Sequence, residues 1–138
     1  MRLDELLDKV YPYEQVIDTP ERSTYKFITP DELLVIVNIG LYQGESSSTV
    51  ILEFDVEKSH FWKPTTNLIS IFSTVAAIAN EYIENNPNFD ALEFSASMNR
   101  PSLVKLYDRL AKKVSAKLPD AKLEIKQNPG FKNYRWVR

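Results

Sequence analysis

Apolar residues recur along the chain in two rhythms, one of three to four residues and one of two, and the rhythm changes several times. Leu3, Leu6, Leu7 and Val10 have the spacing of one face of a short amphipathic helix over residues 3–11, stopped by Pro12. Residues 14–29 read as extended chain, broken by the polar turn Asp18-Thr19-Pro20-Glu21-Arg22, after which Tyr25 and Phe27 alternate. Residues 33–42 are rich in branched apolar side chains and short enough for a central strand. The loop Gln43-Gly44-Glu45-Ser46-Ser47-Ser48 then leads into a strand over 49–57, and so short a connection predicts an antiparallel hairpin.

The helical rhythm returns after Pro64-Thr65-Thr66-Asn67, where Thr66 or Asn67 can cap the first free backbone amides. Leu68, Ile71, Phe72, Val75, Ala79 and Tyr82 line one side of a helix over 68–84. Ile69, Ala76 and Ile83 widen that band, and no charge occurs before Glu81, so much of its surface is expected to be covered. Residues 91–96 read as a strand. Residues 102–118 form a second amphipathic helix, with Leu103, Leu106, Tyr107, Leu110, Val114 and Leu118 on the buried stripe. Strands over 121–127 and 133–138 flank the turn Asn128-Pro129-Gly130. The order α-β-β-β-α-β-α-β-β predicts an α/β (α+β) fold: a mixed, mostly antiparallel sheet with helices on both faces and a parallel right-handed crossover between residues 50 and 95.

A length of 138 residues fits one domain over 1–138, and 43% hydrophobic residues suffice for a core. The absence of cysteine excludes disulfides, thiolate metal sites and a cysteine nucleophile. Met1-Arg2-Leu3-Asp4-Glu5 is charged from the start, unlike a signal peptide, and the longest charge-free run, Pro64 to Asn80, is too short and polar to span a bilayer. A cytoplasmic protein without membrane contact is therefore expected. The net charge of −2 hides a polarity: residues 96–138 carry 11 Lys/Arg against 3 Asp/Glu, and residues 1–95 carry 6 against 16. Such a chain can steer a charged partner or pair with itself.

Two constellations carry candidate chemistry. Glu53, Asp55 and Glu57 alternate along one strand and so share a face, where neighbouring carboxylates can produce a general base or stay solvated. As metal ligands they gain nothing except His60, the chain's only histidine, and no metal site is expected. Lys105, Arg109, Lys112 and Lys113, with Lys117 beside them, form the basic face of the second helix. That face suits an acidic protein or phosphates, although a pI near 5.5 is not that of a dedicated nucleic-acid binder.

Residues 49–115 resemble the GNAT acetyltransferase superfamily. Arg100-Pro101-Ser102-Leu103-Val104-Lys105-Leu106-Tyr107-Asp108-Arg109-Leu110 is similar to the family's segment with an Asn, a helix and a Leu-Tyr-x-x-Leu ending. The resemblance implies that Tyr107 is the general acid toward a departing coenzyme A thiolate, with Glu53 or Asp55 as base. Read from the helix alone, a tyrosine on the buried stripe is more often a core residue whose hydroxyl reaches a partner at the edge. The family's Arg/Gln-x-x-Gly-x-Gly/Ala phosphate motif is missing: Glu57 to Asn67 contains no glycine, and Asn99 stands one residue too far from Tyr107, with Arg100 in its place. A substitute pyrophosphate site falls to Thr65, Thr66, Asn67 and Arg100. Phe94-Ser95-Ala96 followed by Leu106 to Leu110 also resembles short bacteriophage proteins.

The missing glycines lead to the expectation of a cofactor-free, acetyltransferase-like accessory protein that binds a protein or nucleic acid through its basic C-terminal face. The alternatives are an active acetyl-coenzyme A-dependent N-acetyltransferase and a nucleic-acid-binding module. A family-type cofactor cleft needs neighbouring strands that part, and the sequence leaves open whether strands 33–42 and 49–57 do so.

Overall fold

The computed structural model describes residues 9–57, 67–97 and 104–138. Seven strands, β1 (Glu14–Asp18), β2 (Arg22–Ile28), β3 (Leu34–Gln43), β4 (Ser48–Glu57), β5 (Ala91–Ser97), β6 (Lys122–Gln127) and β7 (Phe131–Val137), form one sheet in the order β1-β2-β3-β4-β5-β7-β6. Every neighbouring pair is antiparallel except β4 and β5, which run parallel. Helix α1 (Leu68–Asn85) connects those two, and α2 (Val104–Lys117) crosses from β5 toward β6. The strand rhythm was thus legible, because alternation places Val35, Val37 and Ile39 of β3 and Val50 and Leu52 of β4 on one face, each at most 2% exposed.

Both helices pack on that face. Phe72 of α1 and Tyr107 of α2 meet edge to face at 5.0 Å, and each also meets Phe54 of β4. Helices were expected on both faces; the two described helices share one, and residues 1–8, where a further helix is expected, lie outside the described residues. Tyr134 and Trp136 of β7, both 1% exposed, complete the core beneath α2.

The start of the described chain corrects one expectation. Residues 9–11 are not helical: Lys9 N–H donates to Ser70 Oγ at 3.0 Å and Tyr11 N–H to Thr74 Oγ1 at 2.9 Å. Backbone donors that a helix would direct to carbonyls four residues back go instead to hydroxyls on α1. Val10, expected on the apolar face, is 53% exposed. This strip also explains the uncharged α1, since its hydroxyl side (Ser70, Ser73, Thr74) is buried. Asn67 caps α1, its side-chain oxygen accepting from Ser70 N–H at 3.1 Å.

Candidate active site

β3 and β4 pair along their whole length, from Leu34 opposite Glu57 to Gln43 opposite Ser48, so they do not part. A short hairpin connection and a continuous antiparallel ladder hold both ends together. The opening lies one strand further on. Among the described residues, β4 and β5 pair only through Thr49–Ile51 and Ala91–Glu93, although both strands continue beyond. The gap that follows is a cavity of about 280 Å³ lined by Ile51, Leu52, Glu53, Phe54, Glu93, Phe94, Ser95 and Tyr107.

Because consecutive strand residues point to opposite faces, this lining belongs to both sides of the sheet. Phe54 and Phe94 face the helices and meet Tyr107 at 6.2 and 6.3 Å; Glu53, Glu93 and Ser95 face the other way. The cavity is therefore a slot through the sheet, with a phenol on one side and carboxylates on the other. Glu93 is ion-paired with Arg135 at 2.9 Å, and Ser95 donates to Asn133 Oδ1 at 2.7 Å. Glu53 is exposed and makes no ion pair among the described residues.

Tyr107 is held from behind. Phe94 stacks on Tyr134 at 4.8 Å, and the Tyr134 hydroxyl donates to Asp108, the residue after Tyr107. Lys132 Nζ also donates to Asp108, at 2.9 Å, so α2 is fastened to β7 at the turn that carries Tyr107. Burial pushes the Asp108 carboxyl up, but the hydrogen bonds from Tyr134 and Lys132 outweigh it and hold the group below its ordinary value. Burial, then the bond to Asp108, pushes the Tyr134 phenol above its ordinary value.

The signs fix an outcome. A depressed carboxyl contributes stability above its unfolded pKa of about 4, which is lost as acidification approaches the folded value. A raised phenol contributes below about pH 10, and that share is lost above it. Asp108→Asn is expected to lower the urea midpoint at pH 7 and flatten its decline below pH 4. An acid limb as steep as that of the unsubstituted protein would refute this role for Asp108.

Asp55 shares the face of Glu53 but does not line the slot. Thr65, Thr66, His60 and Arg100 lie outside the described residues, as does the side chain of Glu57, and the Asn67 side-chain oxygen is engaged as the cap of α1. Lys105 and Lys112 are exposed on α2, whereas Arg109 and Lys113 are half-buried. Several of the C-terminal cations pair within the molecule: Lys117 with Glu84, Lys132 with Asp108, Arg135 with Glu93 and Arg138 with Asp120. Among the described residues no group of three or more His, Cys, Asp or Glu side chains could hold a metal ion, and no helix is long and apolar enough to cross a membrane. Glu93 went unnoticed in the sequence, though its outward position in a strand read as central was a usable signal.

No protein-family model matches the sequence, and no curated protein matches it significantly. Solved structures do match. An acetyltransferase of the GNAT family from Streptococcus pneumoniae superposes with a TM-score of 0.52 at 14% identity, covering 88% of this chain and 68% of that one. Spermidine N-acetyltransferase from Vibrio cholerae, in complex with CoA and spermine, gives 0.51 at 12% identity, over 86% and 66%. An acetyltransferase from Bacillus subtilis in complex with CoA gives 0.50 at 10%, over 93% and 99%. The chain spans about two thirds of the length of the Vibrio enzyme. At these identities the likeness carries the fold: the chain has a GNAT-like fold.

Proposed function

We propose that the chain is an acetyl-coenzyme A-dependent N-acetyltransferase that works through the slot between β4 and β5. The observation that carries this reading is the parting of those strands beyond Ile51 and Glu93, with Tyr107 lining the gap. It departs from the non-catalytic accessory role that the missing glycines suggest. The fold neighbours, acetyltransferases of which two are in complex with CoA, support the same choice.

The slot suits a thin, extended ligand. Strand edges that no longer pair with each other offer backbone donors and acceptors along its length, and Phe54 and Phe94 give it apolar walls. Acetyl-coenzyme A, when bound, supplies an acetyl thioester as the electrophile. Glu53 takes a proton from the acceptor ammonium, freeing the nitrogen lone pair to attack the carbonyl carbon. The C–N bond forms, the C–S bond breaks, and the Tyr107 hydroxyl gives its proton to the departing sulfur. The second proton of the nitrogen restores Tyr107 through solvent, and Glu53 releases its own proton to water.

Calorimetric titration tests the reading. Acetyl-coenzyme A and coenzyme A are expected to bind saturably, and adenosine 3′,5′-bisphosphate, which lacks the arm, to bind more weakly. No heat at millimolar acetyl-coenzyme A, with the protein shown to be folded, would retire it.

A further inference from the structure

A second cavity adjoins the slot on the sheet face away from the helices. It holds about 200 Å³ and is lined by Arg22, Asn38, Gly40, Tyr42, Ile51 and Glu53. We propose that it is the acceptor site and that the acceptor is a small amino-carboxylate, such as a free amino acid, with its carboxylate on Arg22 and its amine at Glu53. The proposal rests on the acetyltransferase reading given above, whose electrophile it places beside that amine.

Register assembles the site from three strands. Arg22 of β2 stands opposite Gly40 of β3, Gly40 opposite Ile51 of β4, and Asn38 opposite Glu53. Arg22 and Glu53 thus flank the cavity from either side, with β3 as its floor. Gly40 keeps that floor low, because a Cβ there would come within 3.0 Å of the Tyr42 ring, which leans over it. Asn38 is oriented by Thr24, whose hydroxyl donates to Asn38 Oδ1 at 2.7 Å, so its NH2 remains as a donor to a ligand.

Charge decides the chemistry. Elsewhere on this face opposite charges within reach pair up, as Lys26 does with Glu14 at 3.1 Å and Arg135 with Glu93 at 2.9 Å. Arg22 and Glu53 line one cavity and form no ion pair, with each other or with any other described residue. A ligand carrying both charges in the reverse order satisfies them together. A guanidinium receives a carboxylate through two parallel N–H donors, and an ammonium at Glu53 can also rest on the Tyr42 ring. A diamine fits worse, because it brings a second cation toward Arg22. Size agrees: the cavity is smaller than the roughly 300 Å³ at which pockets for drug-sized ligands begin.

Glu53 lines both cavities. An amine held there stands at the junction of the acceptor site and the slot, where attack on a thioester requires it.

The test is a two-dimensional 1H–15N NMR titration of the labelled protein with each of the twenty protein amino acids, without acetyl-coenzyme A. Amino acids that bind are expected to move the Gly40 and Tyr42 amide signals. Their carboxamides, and 1,4-diaminobutane, are expected to bind at least about tenfold more weakly. Arg22→Gln and Glu53→Gln, both at exposed positions, are each expected to weaken amino-acid binding by a similar factor. Carboxamides or the diamine binding as well as amino acids would overturn the proposal, as would no shift at these amides with any amino acid. If acetyl-coenzyme A binds while the amino acids do not, the acceptor assignment fails and the slot stands. If the amino acids bind while acetyl-coenzyme A gives no heat, the cavity stands as an amino-acid site, its acceptor role falls, and the acetyltransferase reading fails.

Discussion

Replacing Trp136 with alanine is expected to cost about 3–5 kcal/mol of unfolding free energy and to lower the melting temperature by roughly 10–20 °C. Trp136 is 1% exposed and lies on β7, the strand that joins β5 to β6. Its indole packs against Phe94 at 5.6 Å, and Nε1 donates to Ser115 Oγ of α2 at 2.8 Å. The side chain therefore ties helix, sheet and the wall of the slot together. Removing it leaves a cavity that a strand paired on both edges cannot collapse to fill. Total stability of a domain is only about 5–15 kcal/mol, so this one change takes a large share. Trp136→Phe separates the two contributions, keeping most of the packing and losing the hydrogen bond, for a cost of about 1–2 kcal/mol. Differential scanning calorimetry reads both variants. A melting temperature for Trp136→Ala within a few degrees of the unsubstituted protein would show that the Trp136 side chain does not tie α2 to the sheet.

How far the sequence led is best judged on particular residues. Glu53 was legible because strand alternation is local: Val50, Leu52 and Phe54 pointing inward force Glu53 and Asp55 outward. Tyr107 was legible from its neighbours in Leu106-Tyr107-Asp108-Arg109-Leu110. Arg22 and Asn38 carried no such signal. They lie 16 residues apart in sequence, on different strands, and only the β2–β3–β4 register brings them to Glu53. Tyr42 reads as the last residue of a strand over 33–42, with nothing in the spacing to mark it as lining a cavity; the strand runs on to Gln43. The misread of residues 9–11 has the same origin: periodicity reports local spacing, whereas the backbone partners of Lys9 and Tyr11 are hydroxyls 61 and 63 residues away. The parting of β4 and β5 left no trace in spacing at all, because divergence of two strands depends on what is packed between them. Tyr107 of α2 lies over that opening, its ring 6.2 and 6.3 Å from those of Phe54 and Phe94.

Tyr107→Phe keeps the ring that Phe54, Phe72 and Phe94 surround and removes only the hydroxyl. The fold and the affinity for acetyl-coenzyme A are therefore expected to persist, while kcat falls about 10²- to 10⁴-fold, the usual contribution of a general acid. The two roles open to this tyrosine separate on that measurement. A core tyrosine loses stability on substitution and leaves chemistry almost untouched; a proton donor to sulfur does the reverse. Rates measured by thiol release, with melting curves recorded on the same preparations, decide between the two. A kcat within threefold of that of the unsubstituted protein, alongside a lowered melting temperature, would return Tyr107 to the core and leave the slot without its acid.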